Sequence, residues 1–408
     1  MLSVSKKRTA MHTSKKIIIA MDSFKGCLTS TQAGNAVAEG IMNVFPHSKI
    51  ILLPVSDGGD GMLDACTQAV RGEMIHIEVC GPLLERHNAY YGISPDKKIA
   101  IIEMAVASGL ASIPQEKQNP MYTTSYGTGQ LIRDALDKGC RKFIIGLGGS
   151  ATNDGGLGML QALGVRFLNS YDEELCASHT YTPASAMHGA LLAQVERIDT
   201  SAIHPAIKDS QFIVACDVQS PFYGPNGAAY VFAPQKGANP QEVKTLDEGL
   251  QHLAEIICDT TGKDISQLPG AGAAGGMGGS MVAFFHAKLI PGAQLILDML
   301  DFRTIIQDAD FIITGEGKSD RQTLMGKIPS GILSEAIRQN IPVILLSGSI
   351  ENVDELNRAG FAAVFSSTPA PLSLAQATES QTAFSNLRSA AEQLGRLINL
   401  YDIPPAKQ

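Results

Sequence analysis

Short apolar runs that stop at a small or acidic loop and then give way to a helical pattern recur at both ends of this chain. They constrain its fold more than any other feature. Ile17-Ile18-Ile19-Ala20 ends in Met21-Asp22-Ser23, the pattern of a strand buried on both faces of a parallel sheet. Thr29 and Gln32 follow at capping-box spacing, and Ala33, Ala36, Val37, Ile41 and Val44 repeat at helical intervals before Pro46. A second strand over 50–55 runs into Ser56-Asp57-Gly58-Gly59-Asp60-Gly61, with a helix expected over 62–70. Strands over 311–314, 342–346 and 361–365 repeat the pattern toward the other terminus, before a helix from about Ala375. Strand, loop and helix in alternation is the grammar of a parallel, doubly wound sheet.

The middle of the chain reads differently. Segments 74–79, 88–93 and 99–104 are strand-like and joined by turns at Gly81-Pro82 and Pro95-Asp96, with no helix-length stretch between them. A helix over 127–138, strands over 143–146 and 212–215, and a long amphipathic helix over 241–258 follow. The expected class is therefore α/β with two domains. A doubly wound domain is made from 15–70 and 291–408, a mixed-sheet α/β domain over 71–290 is inserted into it, and 1–14 form a disordered N-terminal extension. A chain of 408 residues that is 44% hydrophobic and 18% charged can bury two such cores.

The formal net charge of −8 provides no basic footprint for nucleic acid or an anionic membrane. Seven cysteines, odd in number and without C-x-x-C spacing, suggest neither a disulfide framework nor a zinc site. They read as reduced thiols, which points to the cytoplasm. The basic start of the chain lacks the apolar core of a signal peptide, Met11 is an alternative start, and no run reaches the roughly 18 apolar residues a membrane span needs.

Ligands of open parallel sheets bind beyond the carboxyl ends of the strands. The strand ends to inspect are Asp22-Ser23, Asp57-Gly58-Gly59-Asp60, Thr314-Gly315-Glu316-Gly317 and Ser347-Gly348. Carboxylates there could hold Mg²⁺ or accept a proton from a hydroxyl, or they could simply cap helices and close turns. The densest loop, Gly146 to Gly156, offers backbone N–H groups for phosphate. Its Gly146, Gly148 and Ala151 also satisfy the unspecific G-x-G-x-x-A form of the dinucleotide fingerprint. Thr314 to Ser319 imitates the tail of a P-loop but has Ile312 where the first glycine belongs. Lys318, Asp320 and Lys327 still put charge beside that strand. The tract Pro269 to Gly279 suits close approach to a ligand, a hinge or a linker, and is too glycine-rich to be expected as regular structure. Thr124 and Ser125 offer hydroxyls before a helix, and Glu103 is an acid ending an apolar strand. Nine scattered histidines and the lack of G-x-S-x-G disfavour a zinc enzyme or serine hydrolase.

In order and spacing, from about Lys16 onward, these loops resemble the type I glycerate kinase family. The matching stretches include Ala20-Met21-Asp22-Ser23-Phe24-Lys25, Pro54 to Gly61, Ile102-Glu103-Met104-Ala105, Thr123 to Gly129 and Gly148 to Gly156. Ala215-Cys216-Asp217-Val218, Pro234-Gln235-Lys236-Gly237-Ala238, Pro269 to Gly279 and Ile313 to Gly317 complete the set. Met21 stands where the family usually has proline. The resemblance implies ATP-dependent phosphorylation of D-glycerate to 2-phosphoglycerate, and two α/β domains, one of them Rossmann-like and built from both termini. ATP, Mg²⁺ and glycerate are the implied ligands; no nucleic acid or membrane is expected, and a homodimer is left open.

Phosphoryl transfer needs an in-line hydroxyl, neutralised phosphate charge and a cleft that excludes water, here expected between the two domains. Asp57 or Asp217 is the candidate base or Mg²⁺ ligand, with Lys25 a phosphate or carboxylate partner. Gly148, Gly149, Ser150, Asn153 and Asp154 form the candidate phosphate cradle. Lys25, Lys236 or Lys318 would meet the small anionic substrate. Asp22, Ser23, Gly58, Gly59, Glu103, Thr124, Ser125, Gly315, Glu316 and Asp320 are further binding candidates. The rival readings are 3-phosphoglycerate as product, a kinase of another hydroxy acid, an NAD-dependent oxidoreductase built on Gly146, and a regulatory protein that binds without turnover.

Overall fold

The computed structural model describes residues 14–24, 26–56, 61–176 and 186–401. Lys25, the loop 57–60 and the first 13 residues of the expected N-terminal extension lie outside them. In chain order the strands of the two large sheets are β1 (Lys16–Met21), β2 (Lys49–Leu52), β3 (Glu73–Cys80), β4 (Arg86–Ile93), β5 (Ile99–Glu103) and β6 (Lys142–Gly146). They continue as β7 (Gln211–Ala215), β8 (Lys288–Ile290), β9 (Phe311–Gly315), β10 (Val343–Ser347) and β11 (Ala363–Ser366).

The first sheet runs β2-β1-β9-β10-β11, with every neighbouring pair parallel. Counted within its own unit this is order 2-1-3-4-5, a doubly wound arrangement whose switch point falls between β1 and β9. Ile17 and Ile19 pack with Ala33, Val37 and Ile41 of helix Ser30–Met42 and with Leu387 and Ala391 of helix Ser380–Tyr401. Helix Ile328–Arg338 packs on β9 and β10. Thr29 caps its helix with the reciprocal bonds to Gln32 that the spacing implied. β2 is shorter than expected because it is an edge strand: Leu53 N–H still reaches Ile19 O at 2.9 Å, and Pro54 then has no N–H to continue the ladder.

The second sheet runs β8-β7-β6-β5-β4-β3 and is mixed: β5 to β8 are parallel, and β4 and β3 are antiparallel additions. Its core includes Phe143 stacked on Phe212 at 4.7 Å, with Phe285 at 4.8 Å from the same ring. Helix Met62–Ala69 packs on β4 and β5 and against helix Gly292–Met299, burying Met62, Leu63, Ala65 and Cys66. Both helices therefore belong to this unit, which runs from Gly61 to Met299 among the described residues; the other comprises those up to Ser56 and from Leu300. The expected boundaries at 70/71 and 290/291 place both helices in the parallel-sheet domain, whereas their packing puts them with the mixed sheet.

The tract 269–279 is not a linker but a packed irregular segment, with turns over 269–272 and a kinked 3-10 stretch over 273–276. From Ala271 onward it is buried, and its last residues open helix Met277–Phe285. Its glycines serve a backbone-to-backbone contact. A Cβ on Gly275 would lie 2.2 Å from Thr152 O and 2.4 Å from Asn153 Cα, while Gly275 O accepts the Gly155 N–H at 2.9 Å. Gly275 also sits at φ +67°. Gly262, closing helix Pro240–Thr261 at φ +71°, has nothing within 4 Å of such a Cβ. Gly262→Ala should cost about 1–2 kcal/mol, the left-handed penalty alone. Gly275→Ala should cost on the order of 3 kcal/mol or more, since backbone must move as well. Paired urea unfolding curves check this, and equal losses would contradict it.

Candidate functional site

Each unit carries a polar cluster at the carboxyl ends of its parallel strands. In the parallel-sheet unit, β1 delivers Asp22 and β9 delivers Glu316, both buried. Asp22 donates its N–H to Gly315 O at 2.9 Å, and its Oδ1 accepts the Ser23 N–H at 2.6 Å. Gly315 must be glycine, because a Cβ there would lie 1.8 Å from Leu346 O. Glu316 Oε1 accepts from Thr323 Oγ1 at 2.6 Å and Ser319 Oγ at 3.3 Å, and Oε2 accepts from Lys327 Nζ at 2.9 Å. Ser319 Oγ lies 2.7 Å from Ser347 Oγ, which ties the end of β10 into the same network. Lys318 turns away to pair with Glu351 at 2.8 Å, and Asp320 accepts the Gln322 N–H at 2.8 Å to cap the next turn. A cavity of about 450 Å³ opens over these strand ends. Asp22, Ser23, Glu316, Gly317, Lys318 and Asp320 line it together.

In the mixed-sheet unit, β5, β6 and β7 end at Glu103, Gly146 and Ala215. Glu103 Oε1 accepts the Leu63 N–H at 2.7 Å and so holds the start of helix Met62–Ala69. Asp217 is exposed, its Oδ1 accepting the Gly292 N–H at 2.9 Å at the start of another helix. Of the loop after β6, only Gly148 and Gly149 reach the surface; Ser150 to Gly156 are buried. Asp154, fully buried, accepts from Ser125 N at 2.9 Å, Ser125 Oγ at 2.7 Å, Gly156 N at 3.1 Å and Gly158 N at 3.2 Å. Burial pushes its carboxyl above the ordinary range against the pull of these donors. Thr124 Oγ1 accepts the Tyr126 N–H at 3.2 Å. Lys236 is also buried and donates to Ser150 Oγ at 2.8 Å and Thr152 O at 2.6 Å. Burial pushes its amine down to about 7, with Asp154 opposing the shift. Asn153 is fully buried, and its carboxamide finds no partner among the described residues.

The structure thus groups the candidates into two sets. Asp22, Ser23, Gly315, Glu316, Lys318 and Asp320 share the first, whereas Thr124, Ser125, Ser150, Asn153, Asp154 and Lys236 form a buried network beneath the exposed Gly148-Gly149 turn. Lys25, Asp57, Gly58 and Gly59 lie outside the described residues. Sequence reasoning missed Thr323, Ser319 and Thr152 as members of these networks; only the capping-box spacing of Asp320 and Thr323 could have flagged the first. The dinucleotide fingerprint is not realised, since the helix after the loop begins at Leu157, well past Ala151. Among the described residues, no group of three or more His, Cys, Asp or Glu side chains is placed to hold a metal.

Two measurements test this network. Asp154→Ala leaves buried donors unmet and should cost about 3–5 kcal/mol in chemical denaturation; a loss within experimental error would refute the clamp. Between pH 7 and the ordinary lysine value the unfolded chain holds a proton that folded Lys236 has released, so this group makes stability rise with pH across that window. Below about 7 both states are protonated and the contribution is flat. Lys236→Met should remove that rise from a plot of denaturation midpoint against pH; an unchanged slope would count against it.

A family model described as Glycerate kinase family matches residues 17–399. A glycerate kinase of Halalkalibacterium halodurans is 45% identical over 364 residues, covering 89% of this chain and 93% of that protein. The glycerate 2-kinase of Escherichia coli K12 is 43% identical over 352 residues, 86% of this chain and 90% of that one. The crystal structure of a glycerate kinase 2 from Salmonella typhimurium LT2 superposes with a TM-score of 0.84 at 40% identity, covering 95% of this chain and 99% of that one.

Proposed function

The chain belongs to the glycerate kinase family of ATP-dependent phosphotransferases, and we propose that it transfers the γ-phosphoryl group of ATP to the 2-hydroxyl of D-glycerate, releasing ADP and 2-phosphoglycerate. The family match across 17–399 carries this reading. The regiochemistry leans on the relative named glycerate 2-kinase.

In this reaction the glycerate hydroxyl attacks the γ-phosphorus, loses its proton to a base, and the bond to the ADP oxygen breaks. Asp57 or Asp217 is the proposed base, and the other the proposed ligand of Mg²⁺. An exposed Asp217 at a strand end suits a hard cation that takes one or two carboxylates and completes its shell with water and phosphate. Bound there, Mg²⁺ would neutralise phosphate charge. Lys25 is the proposed cation for phosphate or the substrate carboxylate. Lys236, buried and committed to Ser150 and Thr152, supports the Gly148-Gly149 turn from below. Seven unpaired thiols fit a reducing compartment, and among the described residues no helix is long and apolar enough to cross a membrane. We place the enzyme in the cytoplasm, acting on small molecules, with a homodimer as one assembly to test.

Phosphorus NMR after incubation with D-glycerate, ATP and Mg²⁺ should show 2-phosphoglycerate. The 3-phosphate would overturn the regiochemistry, and no phosphorylated glycerate from folded protein would overturn the reading itself. Chelating the metal should stop turnover. Of Asp57→Asn and Asp217→Asn, the base variant should lower kcat by about 10²- to 10⁴-fold, and the other should raise the Mg²⁺ concentration needed.

A further inference from the structure

Resting on the kinase reading, we propose that the parallel-sheet unit holds the nucleotide, with the adenosine of ATP in the cavity beyond β1, β9 and β10 and Asn386 reading the base.

Topology is the first argument. The order 2-1-3-4-5 has its switch point between β1 and β9, where ligands of such sheets bind. The loops after those two strands, and Gly348 and Ser349 after β10, form the polar wall of the cavity. Size is the second. A cavity of about 450 Å³ falls in the range that takes a nucleoside-sized ligand, and glycerate would leave most of it unfilled.

The lining chemistry separates the two substrates more sharply. Phe24, Leu374, Ala377 and Ala383 line the same cavity. Leu374 is 79% exposed, a large apolar side chain on the cavity rim with little to cover it. Glycerate has no flat apolar face to match these side chains, whereas adenine does. The lining also includes Asp22, Glu316 and Asp320, while Lys327 is bound to Glu316 and Lys318 to Glu351. Both lysines are thus engaged, so this wall offers no uncommitted lysine among the described residues, and it is the uncharged adenosine rather than the polyphosphate that is assigned to the cavity.

Asn386 lines the same cavity, half-buried, and its carboxamide makes no hydrogen bond to any described residue. A side-chain amide presents one acceptor and a pair of donors, the complement of adenine's exocyclic amine and adjacent ring nitrogen. Asn386 is therefore assigned as the residue that hydrogen-bonds the base.

The test uses the full chain. Isothermal titration with ADP, without glycerate, measures nucleotide binding directly, and steady-state kinetics measure both KM values. Ala377→Trp fills the apolar side and should weaken ADP binding at least about tenfold. Asn386→Ala should weaken it about three- to tenfold. The KM for glycerate should stay within about twofold in both. Asn386→Ala is conservative enough to keep the test meaningful should Ala377→Trp lower the melting temperature. Wild-type ADP affinity in both variants, or a raised glycerate KM with ADP affinity intact, would overturn this assignment while leaving glycerate phosphorylation standing. Conversely, wild-type protein that binds ADP in this cavity but never phosphorylates glycerate would sink the kinase reading and leave the nucleotide site in place.

Discussion

Asp154 has no contact with water, and four N–H and O–H groups converge on its two oxygens. That arrangement governs the mixed-sheet unit. A carboxylate in so dry a place is costly unless each lone pair is used, so the segments supplying its donors have little freedom. Ser125 fixes where helix Tyr126–Asp137 begins, and its hydroxyl also accepts the Met159 N–H at 2.9 Å. Gly156 and Gly158 fix the start of the helix after the loop. Lys236 braces the same loop at Ser150 and Thr152, and the glycine tract closes over it through Gly275 and Gly155. The exposed Gly148-Gly149 turn stands on this base, and its rigidity comes from groups that never meet solvent.

Glu316 has a comparable place in the parallel-sheet unit. Its carboxylate gathers Ser319, Thr323 and Lys327 from the turn and helix start that follow β9, and Ser319 carries the network on to β10. In both units an acid near a strand end organises the loops around it. An acidic strand end is therefore not by itself a catalytic or metal-binding group: two carboxylates that look alike in sequence, Asp154 and Asp217, are respectively sealed inside and exposed at a helix start.

Much of the secondary structure was legible because the apolar patterns are strong. β1, β9 and β10 are uninterrupted runs buried on both faces, and the capping box at Thr29 marks where its helix begins. Less legible was which sheet each helix covers. Helix Met62–Ala69 follows β2 in the chain but buries its apolar face against β4 and β5, and local pattern carries no information on that choice. The glycine tract misled for a related reason. Glycine removes steric limits without stating what comes close, and here the close partner is the chain's own backbone at Thr152 and Asn153.

The sequence by itself determined the class of fold, the insertion of one sheet into the other, and the family, since these depend on periodicity and on residues kept in order along the chain. Tertiary structure decided which candidate side chains share an environment. Lys236 and Lys318 are the same residue in sequence, yet one is buried with its amine pushed down to about 7 and the other is exposed with its amine pushed up by Glu351. Burial and partners set a side chain's charge and reach, and both come from residues distant along the chain. That information exists only once the chain has folded.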